Sequence, residues 1–187
     1  DLMTSLGSPN LDCRQDNAWY DLSAREGYLF NSGILGIEEA DALLLVGTHP
    51  RHEAPVLNAR IRKRFLEAGR GGFPIAMIGH PLTDPTYPAE LLGDGPEVLE
   101  KLLDGSHAFA ETLKTAKRPM IIIGHGALTR PDASAIYDAC KKLAVQTGAI
   151  AEGWNGLNVL HTAASRVGAL SARYARAQRQ WHAAWWR

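Results

Sequence analysis

The run Ala42-Leu43-Leu44-Leu45-Val46, followed at once by Gly47-Thr48-His49, decides how the chain is read. Five consecutive aliphatic residues without polar alternation fit a strand covered on both faces, as in a parallel sheet sandwiched by helices. Two more runs share this character, Pro74–Ile78 and Met120–Ile123, each bounded by a turn signal. Between the first two lies His52–Ala68, where Leu57, Ile61 and Phe65 recur at every fourth position until Gly69 stops the pattern. Its opposite face is basic (Arg60, Lys63, Arg64), either solvated or part of an interface. Strand, helix, strand with short joints predicts a right-handed βαβ unit.

Working outward, the second crossover is longer. Pro96 fits the first turn of a helix carrying Val98, Leu99, Leu102 and Leu103, and Ser106 fits the cap of another with Phe109, Ala110 and Leu113 on one face. Asp132–Thr147 is apolar at Ile136, Ala139, Cys140 and Leu143 and is closed by Gly148. A short strand is expected at Ala149–Ala151. A last helix is expected over Gly156–Val167, with Leu160, Ala163, Ala164 and Val167 inward. The alternation predicts an α/β domain, Rossmann-like and doubly wound, with a mainly parallel sheet flanked by helices. Residues 1–170 form that domain.

The last stretch, 171–187, is rich in Ala, Arg, Gln and Trp, holds Trp181, Trp185 and Trp186, and has no acidic residue. It reads as an atypical tail, artefactual or disordered, or else as an amphipathic partner helix. At the other end Asp1 is no initiator, and Leu2–Leu6 followed by Gly7 resembles the end of a helix, as in a chain cut from something longer.

Composition narrows the function. Lys+Arg and Asp+Glu balance at 20 each, which gives no electrostatic footprint for nucleic acid or an anionic membrane. The longest apolar runs are too short for direct membrane insertion. Two cysteines, Cys13 and Cys140, cannot supply the four thiolates of an iron–sulfur cluster. Cys140 falls on the apolar face of a helix and reads as core.

Ligands of open parallel sheets bind beyond the carboxyl ends of the strands. Here those ends read Gly47-Thr48-His49, Gly79-His80 and Gly124-His125-Gly126. Glycine lets backbone approach a ligand, and neutral imidazole ligates metals or moves protons. The three histidines either converge on one crevice or cap loops while the glycines turn the chain. The cleft candidates are Gly47, Thr48, His49, Gly79, His80, Gly124 and His125, with no catalytic residue and no metal ligand assigned. Gly124-His125-Gly126 lacks the third glycine of a dinucleotide fingerprint, and there is no phosphate-loop lysine or nucleophile elbow. His52 and Glu53 beside His49 admit a metal reading, but capping of the helix after Pro50 is simpler. Glu38, Glu39 and Asp41 read as a solvated turn before a buried strand.

Several stretches carry a family resemblance: Leu6–Asp16 (LGSPNLDCRQD), Gly36–Asp41, Leu45–Arg51 with Glu53–Pro55, Asn58–Arg62, Leu92–Asp94, Gly105–His107, Lys117–Met120 and Trp154–His161. Together they resemble an internal piece of the large iron–sulfur subunit, the 75 kDa type, of respiratory complex I, the NADH:quinone oxidoreductase. The match covers about residues 1–170, and the chain departs from the pattern after Leu170. The resemblance implies a molybdopterin-oxidoreductase-like domain that scaffolds the peripheral arm against other peripheral-arm subunits. It further implies a parent subunit holding 2Fe-2S and 4Fe-4S clusters upstream, with no cofactor in this segment. The assembly would pass electrons from NADH to quinone, on the cytoplasmic side of a bacterial inner membrane or the matrix side of a mitochondrial one. The alternative implied is the molybdopterin guanine dinucleotide-binding domain of an active formate dehydrogenase-like oxidoreductase. The complex I family most often carries asparagine where this chain has His49, and no ligand residue is carried over.

Overall fold

The structure is a computed structural model that describes residues 2–8, 12–14, 16–69, 71–81 and 86–172. A single turn, α1 (Leu2–Ser5), precedes a strap, described at residues 12–14 and 16–30, that contains a 3₁₀ turn at Arg25–Gly27. Then follow α2 (Gly36–Glu39), β1 (Ala42–Val46), α3 (Pro50–Glu53), α4 (Pro55–Ala68) and β2 (Ile75–Ile78). The second half-turn of the winding is β3 (Glu90–Gly93), α5 (Glu97–Leu103), α6 (Phe109–Thr115) and β4 (Pro119–Ile123). The chain closes with α7 (His125–Leu128), α8 (Ala133–Gln146), the ribbon β5 (Ile150–Ala151) and β6 (Trp154–Asn155), then β7 (Leu157–Val159) and α9 (Arg166–Ser171).

Five strands form one sheet in the order β3-β2-β1-β4-β7, every pair parallel. The winding leaves β1 toward β2 and β3, then returns to the other side for β4 and β7. The switch point therefore lies between the carboxyl ends of β1 and β4.

Burial on both faces follows from strand geometry, because alternate side chains point to opposite layers. Ala42, Leu44 and Val46 join the layer under α5, α6 and α8, with Leu99, Leu113, Tyr137 and Cys140. Leu43 and Leu45 join the layer under α4, with Ile37, Ile61 and Phe73. All five β1 residues are buried, each large one contributing about 1.5–3 kcal/mol of apolar transfer. The strap covers the outer edge of β7: Val159 N–H donates to Leu29 at 2.9 Å, and Phe30 bridges Asn158 in antiparallel fashion. An edge strand is closed this way without a further strand.

The parallel sheet and the helix expected at Asp132–Thr147 are present. The helix expected at Gly156–Val167 is not. That stretch holds β7, and α9 starts only at Arg166. Leu157 and Val159 face one layer and Leu160 the other, the signature of a strand. Between them Asn158 is fully buried and accepts from Ser32 N–H at 3.0 Å while donating to Gly156 O at 3.0 Å. β3 was also not anticipated, since its outer residues are exposed. The helix expected from His52 is divided at Ala54, with Pro50 and Pro55 each at a first turn, where a missing N–H is harmless. Ser106 does not cap α6. The N-cap is Ala108, and His107 just before it accepts the Phe109 N–H on Nδ1 at 3.1 Å. The basic face of α4 is engaged by α2: Arg60 and Lys63 pair with Glu38, and Arg64 donates to Ala40 O at 2.7 Å. Of the tail, Ser171 ends α9, and residues 173–187 lie outside the described residues.

Candidate functional site: the strand-end cleft

A cleft of about 520 Å³ opens at the carboxyl ends of β1, β2 and β4. Gly47, Thr48, His49, Gly79, His80 and His125 all line it, and Gly124 does not. Its apolar walls include Val46, Met77, Ile78, Leu99 and Ile136, and Glu53 and Asp94 bring carboxylates.

The glycines serve the protein's own packing. Gly47 has φ +56°, and a Cβ there would meet the backbone nitrogen of Ala127 at 2.4 Å. A Cβ on Gly124 would stand 2.2 Å from the Thr48 Cβ, and one on Gly126 2.8 Å from Gly47 O. The two loops at the switch point thus interlock backbone against backbone. The amides join in: Gly47 N–H donates to Ile78 O, Gly79 N–H to Gly93 O and Gly124 N–H to Val46 O, each at 2.9 Å.

The three histidines share the cleft but have separate surroundings. His80 Nδ1 lies 3.2 Å from Pro81 O. His125 Nδ1 lies 3.3 Å from the Asp16 carboxylate. The His49 ring meets the His52 ring edge-on at 4.1 Å between centroids, and burial and then His52 hold its pKa below the usual value. Among the described residues no group of three or more His, Cys, Asp or Glu is placed to hold a metal ion.

Glu53 does cap its helix. One carboxylate oxygen accepts the His49 N–H at 2.5 Å, while the other, Oε2, is buried without a partner. Thr48 Oγ1 and both ring nitrogens of His49 are also buried and unpartnered. Asp41 accepts the N–H groups of Lys117 and Arg118, both at 2.8 Å, so the acidic turn ties β1 to β4.

Sequence reasoning missed a fourth strand-end histidine, His161, because its segment was assigned to a helix. The cue was partial: Leu157, Val159 and Leu160 precede His161, but Asn158 interrupts the apolar run and no glycine follows it. His161 stands outside the cleft, stacked on Tyr20 at 4.9 Å with Nε2 2.6 Å from Tyr28 O.

Comparison with known proteins places this architecture. The family described as molybdopterin oxidoreductase matches residues 1–184. The chain is 44% identical over 180 residues to the mitochondrial NADH-ubiquinone oxidoreductase 78 kDa subunit of Neurospora crassa, covering 93% of the chain and 23% of that relative. It is 40% identical over 172 residues to the mitochondrial NADH dehydrogenase [ubiquinone] iron-sulfur protein 1 of Solanum tuberosum, covering 91% and 22%. It is 40% identical over 161 residues to the NADH-ubiquinone oxidoreductase 75 kDa subunit of Reclinomonas americana, covering 86% and 23%. The chain thus spans less than a quarter of these relatives. With a doubly wound parallel sheet and a family match over nearly its whole length, the chain belongs to the molybdopterin oxidoreductase family.

Proposed function

We propose that residues 1–170 are a scaffold domain in the large iron–sulfur subunit of an NADH:quinone oxidoreductase. The observation that carries this is the 40–44% identity to three such subunits across most of the chain. The parent would pass electrons from NADH through iron–sulfur clusters to quinone, in the peripheral arm, on the cytoplasmic or matrix side. This segment's part is to pack. Two cysteines, one of them fully buried in the core, are too few for a four-thiolate cluster. No helix among the described residues is long and apolar enough to cross a membrane.

The family also implies a molybdopterin dinucleotide, and the strand-end cleft does not fit one. A pyrophosphate needs free N–H groups and glycine space at the switch point. Here Glu53 takes the His49 N–H, and the opposite loop fills the space beside Gly47 and Gly124. No step is assigned to that group.

An antibody raised against the 187-residue chain should deplete NADH:quinone reductase activity from solubilised respiratory membranes of its source. The isolated chain should be colourless and inactive toward NADH. Undiminished activity in the depleted extract, or visible absorption from a stoichiometric cluster in the isolated chain, overturns the proposal.

A further inference from the structure

We infer that the outward face of α4 is a docking seam for an amphipathic helix from the part of the parent polypeptide outside this chain. That helix is apolar along its contact stripe and acidic beside it. The inference rests on the scaffold reading, in which the chain is one domain of a subunit whose relatives it spans by less than a quarter.

α4 is apolar on two faces. Leu57 and Ile61 are buried in the domain, with Asn58 beside them. On the outward side Val56 is 74% and Leu66 59% exposed, and Ala59 and Arg62 are exposed as well. Val56, Ala59, Lys63 and Leu66 follow one another at spacings of three, four and three residues, which keeps them on one stripe about 15 Å long. That spacing is the seam of two helices packed side by side, and small Ala59 lets the second axis come close. Exposed apolar residues scattered singly are ordinary. Here four of the eight large apolar side chains exposed among the described residues lie on α4 or on the turn entering α2: Ile34, Leu35, Val56 and Leu66. Glu38, paired with Arg60 and Lys63, holds α2 against α4.

The charges state what the second helix carries. Lys63 is neutralised by Glu38 at 3.1 Å and Glu67 at 3.7 Å, and Arg60 by Glu38. Arg62 has no hydrogen-bond or ion-pair partner among the described residues. It precedes Lys63, at the flanking position where paired helices exchange salt bridges. A carboxylate on the facing helix completes it, and a lysine or arginine there is repelled. A stripe of three turns falls short of the area that separate proteins bury to stay together, about 1,200–2,000 Å². A segment of the same polypeptide needs less, because its attachment holds it at high effective concentration.

The test uses the full-length polypeptide that contains this chain, with a photoreactive benzoylphenylalanine in place of Leu66, irradiated in its native assembly and mapped by mass spectrometry. The crosslink should fall within the same polypeptide, beyond this chain, on a helix with Asp or Glu beside its apolar stripe. A crosslink to a separate subunit or to a second copy, or no crosslink, overturns the inference. Arg62→Glu should cut the crosslink yield severalfold, and arginine in place of the mapped carboxylate should restore it. A yield that Arg62→Glu leaves unchanged, or that the reversal leaves low, also overturns it. In the isolated 187-residue chain Arg62→Glu should leave the urea midpoint in place; a fall there makes Arg62 a structural residue of this domain and overturns the seam. Co-purification of the polypeptide with NADH:quinone reductase activity tests the scaffold reading separately, since the crosslink is read whether or not that activity accompanies it.

Discussion

The guanidinium of Arg166 lies 2.7 Å from the carboxylate of Asp16 and donates at 2.7 Å to the hydroxyl of Tyr20. Through this pair α9 grips the strap that covers β7. Tyr20 in turn stacks on His161, whose Nε2 meets Tyr28 O, so one polar cluster fastens both ends of the strap.

Replacement of Arg166 by Met should release the strap. Removing one partner of a buried pair costs about 3–5 kcal/mol, and the greater exposure of Asp16 brings the expected loss to about 2–3 kcal/mol. Urea unfolding reads the loss, and hydrogen exchange should show it concentrated at Trp19, Leu29 and Val159. A midpoint equal to that of the parent chain would contradict the clamp.

The same cluster makes stability depend on pH. Burial lowers the His161 pKa, outweighing its contact with Tyr28 O. Burial raises Asp16, but the Ala18 N–H and the Arg166 guanidinium outweigh it and hold the carboxyl below its usual range. In both cases the unfolded chain binds protons more readily, so stability rises with pH. The His161 contribution is complete above about pH 6.5 and is lost as pH falls toward its folded value; that of Asp16 is lost below about pH 4. His49, lowered by burial and His52, adds to the first window. His161→Phe should flatten, without abolishing, the fall in urea midpoint between about pH 7 and pH 5. An unaltered pH profile in this variant would refute the assignment.

The two ends of the glycine set should respond oppositely to alanine. At Gly47 a methyl meets the Ala127 nitrogen with φ at +56°, and at Gly124 it collides with Thr48. Loss of about 3 kcal/mol or more is expected at Gly47, where strain and overpacking coincide, and about 1–3 kcal/mol at Gly124, where φ is ordinary and overpacking acts alone. Gly168 in α9 has nothing within 4 Å of its notional Cβ. Gly168→Ala should instead stabilise the chain by about 0.5–1 kcal/mol. Thermal unfolding of the three variants gives the comparison, and a tolerated Gly47→Ala would end the interlocking account.

What was legible in the sequence is what local pattern alone determines. β1, β2 and β4 are buried on both faces, so they appear as uninterrupted apolar runs, and α8 is long enough for its period to show. β7 has three residues and exists because β4 and the strap pair with it; the spacing of Leu160, Ala163, Ala164 and Val167 beyond it imitates a helix. β3 is an exposed edge with little apolar signal. Of the glycines and histidines read at three strand ends, Gly47, His49, Gly79, His80 and His125 line the cleft and Gly124 does not. The glycines' role was hidden, because it depends on Gly47 facing Ala127 across a crossover. The unpartnered state of Thr48 and Glu53 is likewise a fact of three dimensions only.

The cysteines offer a last test, of core integrity. Cys140 is fully buried on the inner face of α8, and burial pushes its pKa to about 12. Cys13 is half-buried, and burial and then Asp12 raise its thiol as well. The thiolate is the reactive form, so both should alkylate slowly in the native chain. Cys140 should react only by way of unfolding that exposes α8, at a rate tracking global stability, whereas Cys13 needs only the strap to loosen. Pulsed iodoacetamide labelling read by mass spectrometry separates the two sites. Arg166→Met should accelerate Cys13 more than Cys140, because the clamp holds the strap and not the α8 face. Equal acceleration at both would mean that the strap and the sheet unfold as one unit.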